Sequence, residues 1–225
     1  MDVAWAVDSL WPDAGRGTGR AGALSRGRVC LLLACLSGLA GGCSSKAAPL
    51  QMPNYSPADA ARQAIADYDK NKDGVLDAQE LEFSPPLKSA LKYLDKNRDG
   101  KLSTDEIADR LERFRGSGTA MLTVACLVTM NEEPLTEATV TLVPEKFMGP
   151  ALKPASAVTD KTGRAIVQVQ GAALPGVPLG FYRIEVSKKQ GDRETIPAQY
   201  NSRTTLGVEI GLDFRAPLRV QLRGG

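Results

Sequence analysis

The chain has 225 residues, 43% hydrophobic and 24% charged, with 28 basic and 26 acidic side chains giving a net charge of +2. This is a globular composition that excludes a wholly disordered chain, and the near-balanced charge gives no global attraction to nucleic acid. The absence of histidine excludes Ser-His-Asp and Cys-His catalysis and His-ligated zinc, leaving carboxylates, hydroxyls and backbone as the available chemistry.

Arg16, Arg20, Arg26 and Arg28 precede an uncharged run from Val29 to Gly42. The run is shorter than the roughly 20 apolar residues of a membrane-spanning helix and suits the apolar segment of a signal peptide. It ends in Leu39-Ala40-Gly41-Gly42-Cys43, followed by Ser44-Ser45. This resembles the lipobox of bacterial lipoproteins, with Ala40 where the family prefers a branched apolar residue. The resemblance implies a signal peptide over 1–42, lipidation of Cys43, and a protein anchored in the membrane at the bacterial cell envelope, in the periplasm or at the outer membrane face. Cys126 is the sole cysteine beyond Cys43, so no intramolecular disulfide remains once Cys43 is acylated. Cys126 alternates with Leu122, Val124 and Val128 and reads as a small buried hydrophobe on a strand.

After a polar, proline-containing tether over 43–55, residues 56–115 read as helices. Ser56, Pro57 and Asp59 place a capping hydroxyl, a φ-restricted residue and a carboxylate in one first turn. Ala61, Ala64, Ile65 and Tyr68 then share a face. Leu87, Ala90, Leu91 and Leu94 form a second stripe after Pro85-Pro86, and Ile107, Leu111 and Phe114 a third.

Between the stripes lie DKNKDGVLDAQE (69–80) and DKNRDGKLSTDE (95–106). Calcium wants six to eight oxygens at about 2.3–2.6 Å. A tight loop delivers them when ligands recur at every second residue and a bidentate carboxylate returns from the following helix. The first loop offers Asp69, Asn71, Asp73, the carbonyl of Val75, Asp77 or a water it holds, and Glu80. The second offers Asp95, Asn97, Asp99, the carbonyl of Lys101, Ser103 and Glu106. Gly74 and Gly100 stand where the chain must turn with positive φ. Both loops resemble the EF-hand calcium loop. Ser103 to Glu106 and Asp77 to Glu80 also fit capping patterns, but those explain only three or four residues each. The eighth positions, Leu76 and Leu102, are predicted to meet in a short two-stranded bridge. Four acidic ligands against three make the first loop the tighter site. Only fourteen residues, interrupted by two prolines, separate Glu80 from Asp95, so the helices between the loops are short. No methionine lies between 56 and 115, which removes the groove chemistry of calcium sensors.

From residue 119 the composition changes to short alternating runs separated by turns. They are Met121–Thr129, Ala138–Val143, Ala155–Thr159, Ala165–Val169, Tyr182–Ser187, Thr195–Gln199, Leu206–Ile210 and Leu218–Leu222, and they predict an antiparallel sandwich over 119–224. Thr159 to Arg164 reads as a hairpin turn, with Asp160 opening it and Gly163 supplying positive φ. The segments EPLTEATV (133–140), TDKTGRA (159–165), GFYRIEV (180–186) and PAQYN (197–201) resemble the transthyretin-like, carboxypeptidase-regulatory-like family. The resemblance implies a non-catalytic sandwich of seven to eight strands and transfers no functional residue.

The expected protein is therefore an α+β, multidomain chain: a helical EF-hand pair followed by an antiparallel β-sandwich. Its expected function is calcium binding by an exported, non-catalytic lipoprotein, a structural or binding module whose further partner is an envelope protein or a glycan. A carbohydrate-binding alternative reads Tyr182 and Tyr200 as sugar-stacking aromatics against a core or corner role. Asp160, Asp192 and Asp213 show no spacing for acid/base work.

Overall fold

The caps and stripes read from the sequence build three helices in the computed structural model, which describes residues 53–172 and 175–224. The signal segment 1–42, Cys43 and the tether up to residue 52 lie outside the described residues. Helix α1 is Pro57–Tyr68, with the N–H of Asp59 donating to Ser56 Oγ at 3.3 Å. Helix α2 is Pro85–Leu94, with both prolines in its first turn, where a missing N–H removes no intrahelical bond. Helix α3 is Thr104–Gly116, opened by the reciprocal capping box of Ser103 and Glu106. Among the described residues no helix is long and apolar enough to cross a membrane.

The strand-rich part forms one continuous main sheet and two separate two-stranded ribbons, Met121–Leu122 with Val177–Pro178 and Lys189–Gln190 with Arg193–Glu194. Its main strands are β1 Val124–Met130, β2 Thr139–Pro144, β3 Ala155–Val158, β4 Arg164–Val169, β5 Gly180–Ser187, β6 Gly207–Ile210 and β7 Leu218–Leu222. They lie in the order β6-β5-β2-β3-β4-β1-β7, with Glu133–Pro134 paired to β1 off that path. All neighbours are antiparallel except β7, which runs parallel to β1. The sheet passes from one half to the other through only two residue pairs, Ala155↔Val169 and Ser156↔Gln168. It curls so that Val128, Val140, Leu142, Ile184, Val186, Val220 and Leu222 meet in one core. The α+β class and the largely antiparallel body are as expected. The pairing differs from two separate antiparallel sheets in this continuity and in the parallel pair.

Thr195–Gln199 is not a strand. The Glu194 carboxylate collects the N–H groups of Lys188 and Ile196 at 3.0 and 2.9 Å, and main-chain pairing stops at Thr195, whose N–H is shared between Glu194 and the Lys188 carbonyl. Pro197 has no donor at all, and a 3-10 turn, Ala198–Tyr200, follows. The hairpin at Asp160 is present as read. Asp160 Oδ1 accepts from the N–H of Thr162 and of Arg164, and Gly163 has φ +74°.

The helical lobe packs on the outer face of β5 and β6, and this explains a break in alternation. Along β5, Gly180, Phe181 and Tyr182 are all buried before strict alternation resumes. Tyr182 faces the inside of the curl, while Phe181 meets Phe114 of α3 with ring centroids 5.9 Å apart. The register partners of Phe181 and Arg183 on β6 are Glu209 and Gly207, so these four share the face that receives the helices. Arg110 of α3 donates from Nε to Glu209 Oε1 at 2.7 Å and from Nη2 to Asp213 Oδ2 at 2.7 Å. Burial pushes the Glu209 carboxyl above its ordinary value, with Arg110 opposing the shift, and Glu209 Oε2 is buried without a partner. Glu145, following β2, accepts from the Tyr68 hydroxyl at 2.6 Å and from Ser84 Oγ at 3.1 Å, and it pairs with Arg183 Nε at 3.2 Å. All described residues fall within one compact unit, Ala47–Gly225.

Gly207 permits the close approach of α2. A Cβ there would lie 2.6 Å from Pro86 Cδ, and nearer still to the Pro85 carbonyl carbon and the Pro86 nitrogen. Gly207→Ala is therefore expected to destabilise the fold by about 2 kcal/mol, read as a lower urea midpoint. Arg110→Met leaves the Glu209 carboxyl buried without its partner and is expected to cost about 3 kcal/mol. Adding Glu209→Gln to it should recover part of that loss in the same denaturation measurement.

Candidate metal centre

Each loop is wired by its own side chains in the same pattern, residue for residue. The first-position carboxylate accepts the sixth-position glycine N–H at 2.9 Å in both, Asp69 from Gly74 and Asp95 from Gly100. The third-position amide oxygen accepts the fifth-position N–H, Asn71 from Asp73 at 2.8 Å and Asn97 from Asp99 at 2.9 Å. The fifth-position carboxylate then accepts the seventh-position N–H, Asp73 from Val75 at 3.1 Å and Asp99 from Lys101 at 2.8 Å. That bond leads the causes that hold the Asp73 carboxyl below its ordinary value. The glycines turn with φ +88° and +80°, and Lys72 and Arg98, both at the fourth position, adopt φ +63° and +62°. The sequence reading identified the glycines but not these strained positions, which in L-residues are uncommon.

The twelfth-position glutamates return from the next element as expected. Glu80 opens a single 3-10 turn, Glu80–Phe83, and Glu106 lies in the first turn of α3. Both are buried, at 4% and 8% exposure, which is costly for a carboxylate without polar partners. Glu80 Oε1 accepts the N–H of Lys70 at 2.7 Å and of Asn71 at 3.1 Å, while Oε2 accepts that of Asp77 at 3.1 Å. Glu106 Oε2 accepts both the N–H and the hydroxyl of Ser103, at 2.9 and 2.8 Å. For Glu106, burial alone raises the carboxyl, but hydrogen bonds from Ser103, Lys96 and Asn97 outweigh it and hold it below its usual range. Val75 and Leu76 pair antiparallel with Ser103 and Leu102, so the expected bridge joins the loops back to back.

The donor set fits calcium. Carboxylate oxygens of Asp69, Asp73 and Glu80 lie within 4.8 Å of one another, and every expected donor is oxygen. Among the described residues this is the one three-carboxylate group of such compactness. The second loop keeps acids at the same three positions, Asp95, Asp99 and Glu106, but at the ninth position Ser103 replaces Asp77, and its hydroxyl is committed to Glu106. Asp77 Oδ1 caps the turn that carries Glu80, accepting the N–H of Gln79 at 2.8 Å and of Glu80 at 3.0 Å.

The family model of the EF hand matches residues 62–83 and 87–109. The segment carries two EF-hand motifs. Calcium is the ion these motifs bind, and the likeness covers the helical segment alone. No curated protein and no solved structure matches the chain.

Other residues weighed from the sequence fall in the scaffold. Cys126 is buried, and burial pushes its thiol up to about 12. Tyr182 is fully buried and donates from its hydroxyl to the Pro178 carbonyl at 2.9 Å. The Tyr200 hydroxyl accepts the Arg223 N–H at 3.2 Å. Asp213, unassigned in sequence, pairs with Arg110.

Calorimetric titration with calcium is expected to show two classes of site. Glu80→Gln should remove the tighter one and Glu106→Gln the weaker. Heats unchanged from the native protein in both variants contradict the ligand assignment.

Proposed function

We propose that the chain is an exported, lipid-anchored, non-catalytic module at the bacterial envelope, in which calcium stiffens the helical lobe that links the anchor to the sheet. The observation carrying this reading is that the sheet grips both ends of the first loop. Tyr68, immediately before Asp69, donates to Glu145, and the carbonyl of Phe83, at the end of the turn begun by Glu80, accepts from Arg183 at 2.6 Å. A loop held at both ends has little room to swing its helices apart on binding the ion, unlike sensor EF hands. The lipobox-like Leu39 to Cys43 supports export and anchoring, and the transthyretin-like turn-and-strand motifs support a binding role without chemistry. The lack of histidine and the commitment of the buried acids to structural partners support the same reading. With Tyr182 buried and the Tyr200 hydroxyl engaged, neither favours the glycan alternative.

Fractionation of cells producing the native chain should place it in the detergent-soluble membrane fraction, as an acylated product beginning at Cys43 by mass spectrometry. Cys43→Ser should abolish the acyl mass. Recovery of the native chain unacylated in the aqueous fraction contradicts the anchor. Calcium at ten times its dissociation constant should add about 1.4 kcal/mol to the unfolding free energy, measured against EDTA.

A further inference from the structure

The two ends of the open sheet, β6 and β7, line a common groove of about 490 Å³ that the calcium loops do not use. Strand β6 is terminal in the sheet order. The N–H of Ile184 donates to the carbonyl of Leu206 at 3.0 Å, which fixes the hydrogen-bonding phase of the β5–β6 ladder. Tyr182↔Val208 and Gly180↔Ile210 are then hydrogen-bonded pairs, and Arg183↔Gly207 and Phe181↔Glu209 are not. The main-chain donors and acceptors of Gly207 and Glu209 therefore point away from β5, toward the groove. The Glu209 side chain is only 6% exposed, yet the residue as a whole is partly exposed, so the exposure comes from its backbone. A sheet edge with open backbone groups is a template for an added strand.

The rim states the charge of what fits. Lys92, Arg215 and Arg219 line the groove and are exposed. Among the described residues none of the three forms an ion pair with a carboxylate. Two acids also line the groove, buried Glu209 and exposed Asp213, and they share Arg110, so four cations against two acids leave the lining net positive. Tyr93, 40% exposed, adds an aromatic face to the same wall.

We propose that this groove binds an extended acidic peptide segment of a partner protein, which adds as a strand to the free edge of β6 with its carboxylates toward Lys92, Arg215 and Arg219. Main-chain bonds to Gly207 and Glu209 supply register, and the three cations select the partner's charge. The proposal goes beyond the calcium reading and does not depend on it.

The test uses the full chain and fluorescence anisotropy of a labelled Glu-Val-Glu-Val-Glu-Val-Glu peptide, its Lys-for-Glu counterpart, and a form N-methylated at alternate residues so that its edge donors are blocked. The acidic peptide should bind at least about tenfold more tightly than either control, a difference of about 1.4 kcal/mol. The combined variant Lys92→Glu, Arg215→Glu, Arg219→Glu should weaken binding by at least the same factor, with circular dichroism confirming its fold. Equal binding of acidic and basic peptides, or full affinity of the N-methylated form, overturns the proposal without relying on any variant. Self-association of the native chain in sedimentation, lost in the combined variant, would give the edge to a second copy and overturn it too. Titration in calcium and in EDTA keeps this result apart from the metal assignment, which calorimetry tests separately.

Discussion

Burial of two carboxylates, Glu209 and Glu145, between the helical lobe and the sheet is the constraint on which this architecture rests. Glu209 meets Arg110 of α3 across the two layers, while Glu145 pairs with Arg183 beside it on the sheet and accepts from Tyr68 and Ser84 of the helical lobe, and a buried charge is tolerable only when such partners are in place. The docking is consequently specific in a way that an apolar contact between Phe114 and Phe181 alone is not. It needs Gly207 bare of a side chain so that the first turn of α2 can come close enough to align the pairs. A surface that demands this much coincidence admits one relative placement of loops and strands, and that placement aims the calcium ligands.

The loops were legible almost completely because their chemistry is local. Oxygen donors at alternate positions, a glycine at the sixth and a glutamate at the twelfth are properties of twelve consecutive residues, and the paired eighth positions foretell the Leu76–Leu102 bridge. The positive φ at Lys72 and Arg98 was not legible, since nothing in those side chains favours it. It follows from closing the ring of side-chain bonds around the ion site, with Asp69 and Asp95 accepting the N–H groups of those residues at 2.5 and 2.6 Å.

The strands were legible where one face meets the core and obscure where both do. Arg183 and Glu209 occupy outward positions in alternating runs, a pattern that ordinarily means solvent, and only the arrival of the helices turns them inward. Arg110 offered a clue, since it lies between Ile107 and Phe114 on the buried stripe of α3. Glu145 offered none, because its partners, Tyr68, Ser84 and Arg183, come from three remote parts of the chain. Thr195–Gln199 misleads for the opposite reason. Its alternation is real, but the Glu194 carboxylate takes the Ile196 N–H and Pro197 has none to offer, so main-chain pairing ends at Thr195.

The exit from the first calcium loop is one 3-10 turn that stops at Ser84, whose hydroxyl donates to Glu145. In a signalling EF hand a long exit helix acts as a lever that converts a small change at the ion into a large displacement far away. Here the lever is absent, and its stub is fastened to the wall. In the function proposed, the free energy of ion binding at this first loop has no lever to drive and stays in the fold as resistance to unfolding, a rivet and not a message.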